Sequence, residues 1–347
     1  MYNPTMSSKD LPSISVITPT LNSAEVLLKC LTSIRDQDYP EDKIEMIVAD
    51  AGSKDKTREI AMKAGAIVID NPLKTGEAGK AAGLKIAGND LIALIDSDNI
   101  LPDKDWFQKM VAPFIKDQET VCCEPWEFTY RREAGKIERY SALFGVNDPF
   151  VLFTGKYDKL NRLRGVWTEI KLPQTDHGDW VEVELRSDSA VPTIGANGTI
   201  FRSDFLKNQI ETDYLFDIDV VMTALNKLGS LKIAKVKVGI IHTYCEGSIL
   251  KFARKQKRRV LDYEFHRKER IVEWESQDMS TPLIKFVVST ITVVPLLLDS
   301  VRGYLKIPDS AWFLHPILCW ITLWEYGTGK VSSLFVKSEF DRSNWKQ

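Results

Sequence analysis

The sequence predicts an α/β protein with a mostly parallel central sheet. Two observations point there. In the first hundred residues, short apolar runs alternate with amphipathic stretches of helical period. Each run also stops at a polar or glycine-bearing turn. Apolar residues make up 44% and charged residues 27% of the 347, the balance of a folded globular chain.

The elements follow in order. Ile14 to Ile17 reads as a buried first strand stopped by Thr18-Pro19-Thr20. Asn22 is placed to cap a helix, with Glu25 three residues on as in a capping box. Val26, Leu27, Leu31 and Ile34 give that helix its apolar stripe, and Tyr39-Pro40 ends it. Glu45 to Ala49 is a second strand, followed by the turn Asp50-Ala51-Gly52-Ser53. A helix over Lys56 to Lys63, a strand over Ala66 to Ile69, a helix over Gly79 to Ala87 and a strand over Leu91 to Ile95 complete the pattern. Right-handed crossovers then gather the residues after each strand at one edge, where open α/β sheets bind ligands.

From Val111 to Gly239 the periodicity loosens, and Asn147 to Arg164 is aromatic and basic. A strand is expected over Lys235 to Ile241 and a long basic helix over Ile249 to Trp274. Phe286 to Leu298 and Ala311 to Tyr326 are strongly apolar. The expected division is a tail at 1–10, a nucleotide-binding half at 11–110, an acceptor-binding half at 111–247, a basic helix and linker at 248–280, membrane-associated helices at 281–330 and a tail at 331–347.

A net charge of −2 argues against a general nucleic-acid binder. The five cysteines form no Cys-x-x-Cys pair and suit a reducing compartment. The N-terminal stretch has no apolar segment of the kind a secretory signal needs.

The sharpest chemical signal is Asp96-Ser97-Asp98 after the apolar run Leu91 to Ile95. Carboxylates two residues apart lie on one side of an extended chain. There they could bridge a hard divalent cation, Mn²⁺ or Mg²⁺, to a diphosphate. An acidic turn after a strand is common, so the context carries the reading. Thr18-Pro19-Thr20, Asp50 to Ser53, Gly79 to Gly83 and Asp96 to Asp98 recur as successive strand-end sites. Together they resemble glycosyltransferase family 2, inverting enzymes of the GT-A fold. The resemblance implies that Pro19 and Thr20 pack around the nucleotide and that Asp50, with Ser53, contacts base and ribose. It implies that Lys80 helps hold base or diphosphate, that Asp96 and Ser97 assist, and that Asp98 is the chief metal ligand. The usual Asp-Asp-Gly-Ser here reads Asp50-Ala51-Gly52-Ser53, with Asp55 a partial replacement.

Other nucleotide folds fit worse. Lys74 and Ala81 stand where a phosphate-binding P-loop needs glycine and Ser/Thr, and no Gly-x-Gly-x-x-Gly follows the first strand.

Downstream, Gly195-Ala196-Asn197-Gly198 resembles the family's acceptor-side loop, bringing Asn197 near the donor sugar. Tyr214 to Asp219 resembles the acidic stretch that opens a helix and supplies the base. Asp217 matches that base, with Asp219 as the alternative or a helix cap. Gln256-Lys257-Arg258-Arg259-Val260 resembles the Gln-x-x-Arg-Trp motif, with valine at the tryptophan place. Arg258 or Arg259 could pair with diphosphate. His242, just after a predicted strand, stands where some GT-A enzymes place a third metal ligand, although a lone histidine is more often structural.

The two apolar segments are short for bilayer crossings and suit interfacial or re-entrant helices. Trp312, Trp320 and Trp324 resemble interface anchors, and the helix before them is basic. The expected function is metal-dependent, inverting sugar transfer from a nucleotide-diphosphate-sugar to a hydroxyl of a membrane- or lipid-linked glycan. The expected location is the cytoplasmic face of the cell membrane. A polyprenyl-phosphate glycosyltransferase and a non-catalytic membrane scaffold are the alternatives.

Overall fold

The computed structural model describes residues 10–210, 213–266 and 279–333. Among them the strands are β1 Ile14–Thr20, β2 Ile44–Asp50, β3 Ile67–Asp70, β4 Leu91–Ile95, β5 Asn99–Ile100, β6 Thr120–Phe128, β7 Gln174–Asp176, β8 Trp180–Arg186, β9 Asn197–Arg202 and β10 Ser230–His242. The helices are α1 Ala24–Arg35, α2 Thr57–Lys63, α3 Gly76–Ile86, α4 Trp106–Lys116, α5 Lys136–Phe144, α6 Val151–Thr154, α7 Ser203–Lys207, α8 Asp217–Leu228, α9 Ile249–His266, α10 Ser280–Thr292, α11 Val294–Lys306 and α12 His315–Ser333. A 3₁₀ turn at Ser310–Leu314 precedes α12. The N-terminal tail to residue 9, the far end of the expected basic helix at Trp274 and the C-terminal tail from 334 lie outside the described residues.

The chain forms two compact units. The first holds residues up to 129 and 171–242, the second 130–170 and from 243 on. The expected contiguous halves at 11–110 and 111–247 are therefore not the division observed. Residue 111 falls inside α4, and the segment at 130–170 leaves the sheet to build a separate core.

In the first unit the sheet runs β3-β2-β1-β4-β9-β6-β10-β8-β7, with β5 paired to β10. The four expected strands are parallel neighbours. Their register sets Thr20 beside Asp50 and Asp50 beside Asp70, so the carboxyl ends lie level. The stretch without clear periodicity supplies β9, antiparallel to both β4 and β6. It also supplies the β7–β8 hairpin, antiparallel to β10. Its strands are legible as a set only through partners far away in sequence.

Glycine lets α3 approach the sheet closely. A Cβ at Gly83 would come within 2.5 Å of Ile17 Cγ2, and one at Gly79 within 2.9 Å of Pro19 Cβ. This helix starts three residues before the expected Gly79, because Thr75 accepts a hydrogen bond from the Ala78 amide at 2.8 Å and caps it. The expected cap at Asn22 does not form. Asn22 adopts φ +46°, and its side-chain oxygen accepts instead from the Lys54 amide at 2.8 Å, tying the first strand-end loop to the second. Ser23 occupies the cap position of α1, and its hydroxyl donates to the Leu21 carbonyl at 3.0 Å rather than capping the helix.

Within the sheet Lys235 on β10 donates to Glu124 on β6 at 2.9 Å, both side chains fully buried. An ion pair so placed is costly to break from one side, because the survivor is an uncompensated charge.

In the second unit Tyr140, Phe144, Phe252, Trp312 and Leu318 form the core, with the buried His315 ring stacked on Phe144 at 4.5 Å. Burial pushes the His315 imidazole down to about 3, so it is neutral there. The expected apolar stretches become α10 and α11, bent by 83°, and α12. No single described helix is long and apolar enough to cross a membrane.

Lys235→Met alone should lower unfolding free energy by about 3–5 kcal/mol in urea titrations. Glu124→Gln combined with it should recover much of that loss.

Candidate active site

The candidate site belongs to the first unit. β4 delivers Asp96, Ser97 and Asp98 into a tight turn in which the Asn99 amide donates to the Asp96 carbonyl at 2.9 Å. Asn99 is fully buried and works in three directions. Its side-chain oxygen accepts from the Asp96 amide at 3.2 Å, and its side-chain nitrogen donates to Asn197 Oδ1 at 3.2 Å. It also opens β5, which pairs Asn99 with His242 and Ile100 with Ile241 at the end of β10. That two-residue ladder carries the His242 ring to the acidic loop, with Nε2 3.3 Å from Asp98 Oδ2. Phe128 flanks the imidazole with ring centroids 5.6 Å apart.

Beside this loop lies a buried ion pair. Lys80 on α3 donates to both carboxylate oxygens of Asp217 at 3.1 Å. The side chains are 6% and 18% exposed. The first turn of α8 is held near α3 by the Leu215 amide, which donates to the Glu77 carbonyl at 3.0 Å. Burial pushes the Asp217 carboxyl up to about 6, against the pull of the Lys80 ammonium. Burial works to lower the Lys80 value, but Asp217, Asp96 and Glu77 outweigh it and hold it above the ordinary one. Asp96 is raised, chiefly by burial and with Asp98 adding to the rise, while Lys80 opposes. Asp219, one half-turn along α8, is buried. Lys80, Asp96, Asp98, His242 and Asp217 thus share one neighbourhood, in which one permanent cation faces several carboxylates.

The nucleotide-side residues behave differently from one another. Thr20 ends β1 with its buried Oγ1 lacking a hydrogen-bond partner, an acceptor and donor left over at the strand edge. Pro19 is buried under α3. Asp50 is spent on its own turn: Oδ2 accepts from the Gly52 and Ser53 amides at 3.2 and 3.0 Å and from Arg58 at 3.1 Å, and Oδ1 from the Ser53 hydroxyl. Gly52 at φ +87° gives that turn its left-handed corner. Ser53 in turn accepts from the Asn22 amide at 2.8 Å. Asp50 and Ser53 therefore shape the loop rather than offering a free carboxylate to it.

At the loop from Gly195 to Gly198, Glu124 accepts from the Gly195 amide at 3.3 Å and from the Thr199 hydroxyl at 3.2 Å. The buried pair inside the sheet thus anchors the loop that presents Asn197. Glu124 and Asn99 are the residues that sequence reasoning missed. A carboxylate inside the apolar run Val121-Cys122-Cys123-Glu124 was the available signal for the first. Arg258 and Arg259 lie on α9 in the second unit. Arg258 faces Asp262 at 3.7 Å, and Arg259 contacts Asp148 at 3.2 Å and Gln256 at 3.1 Å.

The donors at Asp98 and His242 fit a divalent cation. One carboxylate oxygen and one imidazole nitrogen sit 3.3 Å apart, close enough to share an ion. Among the described residues no three His, Cys, Asp or Glu side chains converge to enclose one. Such a pair leaves coordination positions for oxygens of a bound diphosphate.

Residues 15–165 match the family model Glycosyl transferase family 2. That stretch of the chain is similar to family 2 glycosyltransferases. It is 31% identical over 138 residues to Glycosyltransferase AglE of Haloferax volcanii, spanning 38% of this chain and 45% of that protein. It is 28% identical over 125 residues to the UDP-forming cellulose synthase catalytic subunit of Pseudomonas fluorescens, spanning 35% and 17% respectively. The chain spans less than half the length of these curated relatives. Among solved structures, the mannosyltransferase PcManGT of Pyrobaculum calidifontis, in complex with GDP-Man and Mn²⁺, aligns over 94% of this chain and 89% of its own, with TM-score 0.50 and 15% identity. That likeness is one of fold alone.

The raised Asp217 value makes a direct prediction. Carboxyl-carbon NMR should show Asp217 titrating near pH 6, and Lys80→Met should move that midpoint upward by more than about one unit. The sign follows from the ammonium, which stabilises the ionised form. Because the folded value exceeds that of an unfolded aspartate, ionised Asp217 lowers stability at neutral pH. That cost fades as pH falls from about 6 towards 4.

Proposed function

We propose that this protein is an inverting glycosyltransferase. In this reading it moves a sugar from a nucleotide-diphosphate-sugar to a hydroxyl of a membrane- or lipid-linked glycan, at the cytoplasmic face of a membrane. The observation that carries the reading is Asp217, a buried carboxylate poised near pH 6 by burial and Lys80, beside the Asp96–Asp98 loop.

The reaction needs a base on the attacking hydroxyl and compensation for charge on the leaving group. Asp217 accepts the hydroxyl proton as the oxygen bonds to the anomeric carbon and the bond to the departing diphosphate breaks. A proton acceptor near pKa 6 is both ionised at neutral pH and basic enough to act. Lys80 keeps Asp217 charged despite its burial. Asp98 and His242 would hold Mn²⁺ or Mg²⁺, with Asp96 assisting from the same loop; the ion supplies Lewis-acid stabilisation of the leaving diphosphate. Thr20, Lys80 and Ser97 face the donor. Asn197, fixed through Asn99, orients the sugar, and Asp219 supports the opening turn of α8.

Two measurements test the chemistry. In wild type, kcat/KM should fall about tenfold per pH unit below pH 6, since protonated Asp217 cannot act as a base. Asp217→Asn should cost roughly 10²–10⁴-fold in turnover and abolish that acid limb. Near-normal turnover in Asp217→Asn would remove the hydroxyl-acceptor reading and favour a phosphate acceptor, which needs no strong base.

A further inference from the structure

The surface of α10, α11 and α12 is the least explained part of the second unit. Of the twenty-five large apolar side chains exposed among the described residues, fifteen lie between Leu283 and Val331. They occupy one side of each helix. On α10 Leu283, Ile284, Val288 and Ile291 are exposed while Phe286, Ser289 and Thr290 are buried. On α11 Leu297, Leu298, Val301 and Leu305 are exposed while Leu296, Ser300 and Gly303 are buried.

The buried sides are firmly seated. Phe286 meets Phe150 and Phe153 edge to face at 5.4 and 5.1 Å. Ser300 donates to the Trp312 carbonyl at 2.9 Å, and a Cβ at Gly303 would come within 2.3 Å of the Trp312 ring. Helices held to a protein core along one side present only the other to a partner.

The exposed charges of these helices are cationic, two of them in ion pairs: Arg302 lies 3.5 Å from Asp299 and Lys330 2.5 Å from Glu264. Between residues 280 and 333 the exposed charged side chains are Lys285, Arg302, Lys306 and Lys330, all cationic. Of the three carboxylates there, Asp309 is buried against Arg139 and Tyr130, and Asp299 and Glu325 are partly buried. Tyr304, Phe313, Trp320 and Trp324 add exposed aromatic rings. An apolar face with a cationic rim and aromatic side chains is complementary to the headgroup and upper acyl region of an anionic bilayer.

The geometry points to α10, α11 and α12 as an in-plane docking surface for one leaflet of an anionic membrane. The 83° bend between α10 and α11, with half of each helix committed to the core, sets them along the surface rather than through it. This rests on the membrane part of the proposed function and deepens it by naming the lipid class and the mode of attachment.

The test is partition of the full chain onto phosphatidylcholine vesicles with and without about one-third phosphatidylglycerol. Wild type should bind the anionic vesicles at least about tenfold more tightly than neutral ones, and high salt should narrow the gap. Ile284→Glu, Leu298→Glu and Leu305→Glu alter exposed positions and should each weaken binding several-fold, while nucleoside-diphosphate binding in lipid-free buffer stays at the wild-type level. Alkaline carbonate should strip the protein from the vesicles. Equal binding to both vesicle types, unchanged binding in all three variants, resistance to carbonate, or self-association that depends on this face would overturn the proposal. Loss of nucleotide binding in wild type would instead count against the transferase reading alone.

Discussion

The site is organised around the Lys80 ammonium. It bonds both oxygens of Asp217 and lies in the field of Asp96 and Glu77, so one buried cation offsets a concentration of negative charge. Without it, the opening turn of α8 and the acidic loop after β4 would repel each other in a partly dehydrated space. Two backbone features place the lysine. Gly79 and Gly83 let α3 lie against β1 at a distance no side chain would allow, and the Thr75 cap starts the helix early enough for Lys80 to sit in its second turn. A packing constraint therefore fixes an electrostatic one.

The second constraint is the pairing of β5 with β10. It is two residues long, yet it brings His242 from the far end of the longest described strand to Asp98. Asn99 ties that crossing to the Asn197 loop, and Glu124 with Lys235 anchors the same loop from inside the sheet. Acidic loop, histidine and the Asn197 loop are thus connected by hydrogen bonds. A change at any one of them should be felt at the others.

The first four strands and their helices were legible because each is a local pattern: an apolar run, a polar stop, a helical stripe. Asp96, Asp98 and Lys80 were legible for the same reason, each falling at a strand end or helix start. What escaped was non-local. β9 enters the sheet between β4 and β6, and β5 exists only as a partner of β10; no window of sequence contains either fact. Asn22 misled because its side chain bonds to Lys54 across two loops instead of capping the adjacent helix. Asp50 was legible as a strand-end carboxylate, but its commitment to Gly52, Ser53 and Arg58 shows only in three dimensions. The aromatic and basic run from Asn147 to Arg164 marks part of the 130–170 segment but not its departure into a second unit.

We propose that Asp98 and His242 form a cation site serving a nucleotide diphosphate at this sheet edge. Calorimetric titration of a panel of nucleoside diphosphates, with and without Mn²⁺, into wild type, Asp98→Ala and His242→Ala tests it most directly. One nucleotide should bind in a metal-dependent manner, and each substitution should remove the metal dependence. Binding that is indifferent to Mn²⁺, or unchanged in Asp98→Ala, would contradict it.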